Sequence, residues 1–106
     1  MIATEKNYTG ALGKDALVGL PVTVKEIVEV ERGVYDLTCE HKRGDDCLVV
    51  HKRHVPKYGM VITEGSRIDI TFHARVVGYL FGTNVYIIAY QDQEIDIATS
   101  RVLAVS

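Results

Sequence analysis

Apolar and polar residues alternate along most of the chain beyond residue 20, and this pattern predicts β-strands. In residues 22–30 valines alternate with threonine, lysine and glutamate, except at Glu26–Ile27. Successive side chains of a strand point to opposite faces, so an alternating run indicates a strand with one buried face. The break in the alternation predicts a β-bulge in a long, bent first strand.

The same pattern predicts further strands, which cover residues 34–42, 47–53, 67–76 and 85–90. Turn-forming residues separate consecutive strands at Arg32–Gly33, at residues 44–46 and at residues 78–84. The clearest alternation lies in residues 67–76, where Ile68, Ile70, Phe72, Ala74 and Val76 form one face. Asp69, Thr71, His73 and Arg75 form the other face, which indicates a half-buried antiparallel strand.

The segments outside these strands have weaker patterns. Residues 1–19 contain three glycines and mixed polarity, and they predict a loosely ordered lead-in with a short helix near residues 14–18. Residues 54–65 contain a proline and two glycines, which predicts a connector without a long helix. The tail over residues 94–106 fits a sixth strand or a short helix.

Together these elements predict an all-β chain that forms a small five-stranded antiparallel Greek-key barrel of the oligonucleotide-binding (OB-fold) type. A long bent first strand and a connector between the third and fourth strands are typical of that fold. An SH3-like barrel has similar strand counts and is the alternative. We expect one domain over residues 20–106, since a chain of 106 residues has room for little else.

The hairpin of the second and third strands carries most of the candidate cations. A turn at residues 44–46 pairs residue 42 with 47, 38 with 51 and 36 with 53, which places Asp36 opposite Arg53 and lets them neutralise each other. The inner face then contains Leu37, Cys39, Leu48 and Val50, and the outer face is mixed with a modest basic excess. This face is either an oligonucleotide-binding surface or an ordinary solvated face.

A metal site is a further alternative for this hairpin, because Cys39, His41, Cys47, His51 and His54 lie within 16 residues. The expected register puts Cys39 and His41 on one face and Cys47 and His51 on the other, whereas zinc needs converging ligands. We therefore expect no metal and no cofactor, and two cysteines that pack as small buried or half-buried thiols. The sequence has no nucleophile with its base and no glycine-rich phosphate loop, so we expect no enzyme.

The turn at residues 78–84 is unusual because its sequence, GYLFGTN, places Tyr79, Leu80 and Phe81 where small polar residues are the norm. Exposed aromatic rings stack on unpaired bases, so Tyr79 and Phe81 predict a stacking platform. Tyr35, Tyr86 and Tyr90 are candidate neighbours. Two alternatives remain: the tip docks on a protein partner, or it folds over the mouth of the barrel.

Two short stretches resemble a known family. LTCEHKR, at residues 37–43, resembles the LEHR strand of primosomal replication protein B, and ITEGSRIDI, at residues 62–70, resembles the ITVGSRITV start of its fourth strand. Both motifs resemble those of the bacterial single-stranded DNA-binding protein superfamily, and the resemblance covers residues 20–98. It implies a dimeric or tetrameric OB-fold that holds single strands with basic and aromatic side chains. It also implies that Lys42, Arg43, Arg67 and the aromatic tip lie near the nucleic acid.

We therefore expect a homo-oligomer that binds single-stranded nucleic acid with little regard to sequence, and DNA is the nucleic acid that we expect. With a net charge of -2, the basic surface must be local. The candidate binding residues are Lys42, Arg43, His51, Lys52, Arg53, Arg67, His73, Arg75, Tyr79, Phe81 and Tyr86.

Alternative functions are a protein–protein or assembly module, such as a phage or virion component that uses the aromatic tip, and a barrel that binds a small ligand. No basic start followed by an apolar run precedes the strands, so we expect a cytoplasmic protein with reduced thiols and no membrane partner. Replication or assembly proteins are the expected protein partners.

Overall fold

A computed structural model describes residues 10–56 and 61–106, and their regular structure consists of β-strands and one short 3-10 helix. The strands are β1 (Asp15–Glu31), β2 (Val34–Arg43), β3 (Asp46–His54), β4 (Arg67–Leu80), β5 (Val85–Tyr90), β6 (Gln93–Ala98) and β7 (Val102–Val105). The 3-10 helix, Thr99–Arg101, lies between β6 and β7. Within these described ranges, no helix is long and apolar enough to cross a membrane.

The predicted fold class, an all-β chain of antiparallel strands, is confirmed. Residues 10–56 and 61–106 form seven strands where the sequence predicted five. The difference lies in the tail, which forms both alternatives that were considered for it: a sixth strand, then a 3-10 turn, then β7. The fifth strand has the predicted bounds, Val85–Tyr90.

The predicted helix near residues 14–18 is wrong, because β1 already begins at Asp15. Every second residue here is buried: Ala16, Val18 and Leu20 are each at most 1% exposed. This alternation is typical of a strand. The partner of this segment is β7, with Ala16 opposite Val105 and Leu17 opposite Ala104. Residues 1–9 of the expected lead-in, and residues 57–60 of the expected connector, lie outside the described residues.

The chain divides into two compact units, which we name by their place in the sequence. The central unit is Pro21–Ile70, and the terminal unit combines the described residues up to Leu20 with Thr71–Ser106. The expectation of one domain over residues 20–106 stays a prediction.

The central unit is organised by the β2–β3 hairpin, whose predicted register is confirmed. Lys42 lies opposite Cys47, Thr38 opposite His51 and Asp36 opposite Arg53. The two-residue turn begins with Gly44, whose φ of 60° lies in the left-handed region that glycine tolerates at this hairpin position. The predicted inner face is buried and consists of Leu37, Cys39, Leu48 and Val50.

The predicted bulge in β1 is also confirmed and lies in the central unit. Val24 is opposite Cys39 but Glu26 is opposite Thr38, so Lys25 is the extra residue of β1. The Val24 N–H donates to the Ser66 carbonyl at 2.8 Å, and the Gly65 N–H donates to the Val24 carbonyl at 2.7 Å. These two hydrogen bonds bring the start of β4 alongside the bulge.

The terminal unit contains the meander of β4, β5 and β6 together with β7 on the first residues of β1. The predicted faces of β4 are confirmed, with Phe72, Ala74 and Val76 buried and His73 and Arg75 exposed. The β4 strand nevertheless runs on to Leu80, so the turn covers residues 81–84 and not 78–84. Gly78 and Tyr79 are therefore strand residues, paired with Ile87 and Tyr86.

Candidate functional site

The central unit contains a basic groove at the meeting point of β1, β2 and the start of β4. It has a volume of 280 Å³ and is lined by Pro21, Val22, Thr23, Lys25, Glu40, His41, Lys42 and Arg67. Its three cationic side chains, those of Lys25, Lys42 and Arg67, face one carboxylate, that of Glu40. This local excess of positive charge contrasts with the net charge of -2 of the whole chain.

Local strand geometry explains why these cations meet. Lys25 is the extra residue of the bulge, and a bulge re-aims a side chain that strict alternation would send elsewhere. Arg67 directly follows Ser66, which is hydrogen-bonded to Val24 next to Lys25. Lys25 and Arg67 are exposed, and neither forms an ion pair with any residue that the structure describes. Both charges are therefore available to an anion.

Two further contacts shape the groove. The His41 side chain is bonded through Nδ1 to the Pro21 carbonyl oxygen at 2.8 Å, and because a carbonyl only accepts, Nδ1 carries the hydrogen. The ammonium of Lys42 lies 3.5 Å from the Glu40 carboxylate, with the lysine side chain 71% exposed. Such exposed pairs contribute little to stability, so an incoming anion can compete for Lys42.

On the outer face of β2–β3 the predicted neutralisation of Asp36 by Arg53 is confirmed. Arg53 donates from Nε to Oδ1 at 2.9 Å and from Nη2 to Oδ2 at 3.3 Å. The guanidinium lowers the pKa of Asp36, and the carboxylate raises that of Arg53. A shallow groove of 470 Å³ here is lined by Val28, Asp36, Leu37, Thr38, His51, Lys52 and Arg53. The Asp36 carboxylate neutralises Arg53, so the net positive charge of this groove is lower than its basic residues alone would give.

The other predicted cations are placed differently. His51 is exposed, with Nδ1 3.4 Å from the Thr38 hydroxyl, and Lys52 is half-buried. Arg43 is exposed at the end of β2, opposite Asp46. Of the predicted cations, the basic groove therefore collects only Lys42 and Arg67.

In the terminal unit, His73 is exposed on β4 and Arg75 is tied to the segment that precedes β1. The guanidinium of Arg75 donates from Nε and from Nη2 to the Gly13 carbonyl, both at 3.1 Å. The contact joins β4 to the start of the chain's first strand. These two hydrogen bonds give Arg75 a structural role.

The aromatic tip consists of Tyr79, Leu80 and Phe81. Phe81 is 66% exposed at the start of the turn. Tyr79 supports it: the two rings meet edge to face with centroids 5.2 Å apart, and the Tyr79 hydroxyl donates to the Thr83 carbonyl at 2.8 Å. Phe81 is therefore held out from the sheet on a fixed base.

Tyr86, another predicted binding residue, is buried: it is only 4% exposed, so its ring presents little surface to a base. Its ring lies 5.7 Å from that of Tyr79 and belongs to the core beneath the tip. Among the other expected neighbours, Tyr90 packs edge to face on Phe72 with centroids 5.1 Å apart. Tyr35 lies in the central unit and not in the unit that contains the tip.

The two cysteines are free thiols. Cys39 is buried, and burial raises the pKa of its thiol. Cys47 is exposed, which corrects the expectation that both thiols are at least half-buried. Across residues 10–56 and 61–106, no group of three or more His, Cys, Asp or Glu side chains is arranged to hold a metal ion.

Lys25 is the groove residue that sequence analysis missed. The sequence contains a signal for it, since the break in the alternation of β1 marks the bulge, but the break does not reveal which side chain the bulge redirects.

No protein-family model, no curated protein and no solved structure matches this chain.

Proposed function

We propose that this protein binds single-stranded nucleic acid and that the basic groove holds the phosphates of the strand. The observation that carries the proposal is the convergence of Lys25, Lys42 and Arg67 on one groove of 280 Å³. Lysine and arginine neutralise phosphates and release their counterions, which supplies most of the affinity of non-specific binding. Phosphate contacts carry no sequence information, so the binding is sequence-tolerant.

The exposed ring of Phe81 supports the preference for an unpaired strand, independently of the groove. A ring that is 66% exposed and buttressed by Tyr79 is available to stack on a base. The bases of a duplex are already stacked on one another, whereas those of a single strand offer their faces. The proposal therefore assigns phosphate contacts to the groove and stacking to Phe81.

The groove is tested by the double variant Lys25→Ala/Arg67→Ala, with fluorescence anisotropy of a labelled oligothymidylate as the measurement. The matched control is Lys14→Ala/Arg101→Ala, which removes the same charge from exposed residues outside the groove. We expect the groove variant to bind at least about tenfold more weakly at low salt, and the control to stay within about twofold. Equal losses in the two variants would contradict a specific role for the groove.

A second candidate function is a protein–protein module, because two apolar residues of the tip face solvent together. Leu80 is 41% and Phe81 66% exposed, and exposed apolar tips mark protein interfaces. This candidate predicts no binding of nucleic acid, and a Phe81→Ala variant that stays folded but loses its oligomer or partner. Light scattering of the wild type and the variant over a range of concentrations separates it from the stacking role, in which Phe81→Ala keeps its oligomeric state.

A further inference from the structure

The central unit has a second, more apolar cavity, separate in its lining from the basic groove. Its volume is 190 Å³, and it is lined by Ile27, Tyr35, Leu37, His54, Pro56, Val61 and Ile62. Apart from Tyr35 and His54, these side chains are aliphatic, and no carboxylate is among them. Pockets for drug-sized ligands measure about 300–1,000 Å³, so this cavity has room for a single small ring system.

The strand ladder fixes the floor of the cavity. Ile27 lies opposite Leu37 and Tyr35 lies opposite His54, so four lining residues are held by backbone pairing of β1, β2 and β3. The neighbouring Glu29 carboxylate raises the pKa of Tyr35, chiefly through a side-chain hydrogen bond. The part of the cavity wall that β1, β2 and β3 supply is therefore held by backbone pairing and does not depend on a ligand.

One buried polar atom in the lining of this cavity lacks a hydrogen-bond partner among the described residues. This atom is Nε2 of His54. A buried polar atom without a partner costs free energy, and native proteins pair nearly all of them. An imidazole nitrogen donates or accepts according to its tautomer, so a ligand that offers either kind of group would satisfy it.

We infer that this cavity, the base pocket, receives one nucleobase of the bound strand and that the edge of the base hydrogen-bonds to His54 Nε2. A nucleobase has apolar faces and a polar edge, which matches aliphatic and aromatic walls with one unpaired nitrogen. Proteins that take up an unstacked base hold it by this combination of apolar contacts and edge hydrogen bonds. The inference rests on the proposed function, and it adds a contact to a base where the groove supplies contacts to phosphates.

The test compares an oligothymidylate with an abasic oligonucleotide of the same length, both labelled, on the wild type and on His54→Phe. The variant keeps a ring of similar size and removes the nitrogen. We expect it to bind the oligothymidylate about three- to tenfold more weakly, which is the worth of one hydrogen bond, and to bind the abasic strand as the wild type does. Its thermal midpoint should stay equal or rise, because an unpaired buried nitrogen is gone.

Val30→Phe is the control, because it adds the same ring at a residue that is 41% exposed and lines neither the base pocket nor the two grooves. A second variant, Val61→Trp, places a large side chain at a lining residue that is 83% exposed, so folding tolerates it while the cavity is filled. We expect Val61→Trp to weaken binding of the oligothymidylate as His54→Phe does, and Val30→Phe to leave this binding unchanged.

The outcomes separate this inference from the proposed function. If the wild type binds both strands equally and neither pocket variant changes the affinity for the oligothymidylate, the base pocket is refuted while phosphate binding in the groove stands. If the wild type binds neither strand, the proposed function is refuted and the base pocket with it.

Discussion

Among single residues, Asp36 shows how one contact on the outer face of the sheet links charge to stability. The guanidinium of Arg53 hydrogen-bonds its carboxylate and lowers its pKa from 3.8. A lowered pKa in the folded state means that the contribution to stability is fully present above pH 3.8 and is lost as the pH falls through the lowered value. The size of the effect is small, because both side chains are about half exposed or more.

This linkage gives a prediction for Asp36→Asn. The variant should lose less stability than the wild type when the pH is lowered from about 7 to about 2, because it has no carboxylate to protonate there. Thermal unfolding midpoints of both proteins at the two pH values measure the difference. Parallel decreases in the two proteins would show that the Arg53 contact does not stabilise the charged carboxylate.

A second prediction concerns Phe81, whose exposed ring is assigned to base stacking. Phe81→Ala should weaken binding of an oligothymidylate by about 1–3 kcal/mol, the usual worth of one stacked base. The fold should be unchanged, since the side chain is 66% exposed. Leu80→Ala, which removes an exposed side chain without a ring, is the control and should bind normally. An unchanged affinity in Phe81→Ala would exclude stacking at the tip.

At the scale of elements, the extension of β4 beyond its predicted end depends on Gly78. A Cβ atom at this position would lie 3.0 Å from Ile87 Cδ1 and 3.3 Å from Ile87 Cβ on the neighbouring strand. The absence of a side chain lets β4 and β5 stay paired through the register shift between Val76 and Gly78. The glycine that looked like a turn residue in the sequence is therefore a strand residue at a close approach.

Gly78→Ala is expected to destabilise the protein by about 1 kcal/mol, because Ile87 must move to make room for the added methyl group. The destabilisation should be smaller when it is measured in an Ile87→Ala background, which removes the crowded atoms. Denaturant unfolding of the wild type, the two single variants and the double variant measures this coupling. Additive effects of the two substitutions would contradict a steric origin.

The elements that the sequence predicted well are those held by local pairing. The β2–β3 register follows from a two-residue turn at Gly44 and from inner residues such as Leu37 and Val50, all within one short stretch of chain. The start of β1 was missed because its partner is distant: Ala16 pairs with Val105, and no local pattern records that pairing. The first residues of β1 look weakly patterned in the sequence because their strand structure depends on this distant partner.

At the scale of the whole molecule, a local basic site lies in a chain with a net charge of -2. Lys42 and Arg67 were predictable as candidates from their charge and position. Their convergence with Lys25 was not, because it requires the pairing of Val24 with Gly65 and Ser66, which are far away in the sequence. Arg53 and Arg75 carry the same charge but are engaged by Asp36 and by the Gly13 carbonyl.

The central claim is that this protein binds an unpaired strand by its phosphates, and the salt dependence of wild-type binding tests it most directly. Anisotropy of a labelled oligothymidylate, measured over a series of salt concentrations with unlabelled duplex as competitor, is the measurement. We predict saturable binding that duplex does not displace, with a slope of log K against log salt of about -2, as three groove cations require for a single strand. Binding that is absent at low salt, that does not depend on salt, or that duplex displaces completely would contradict the account.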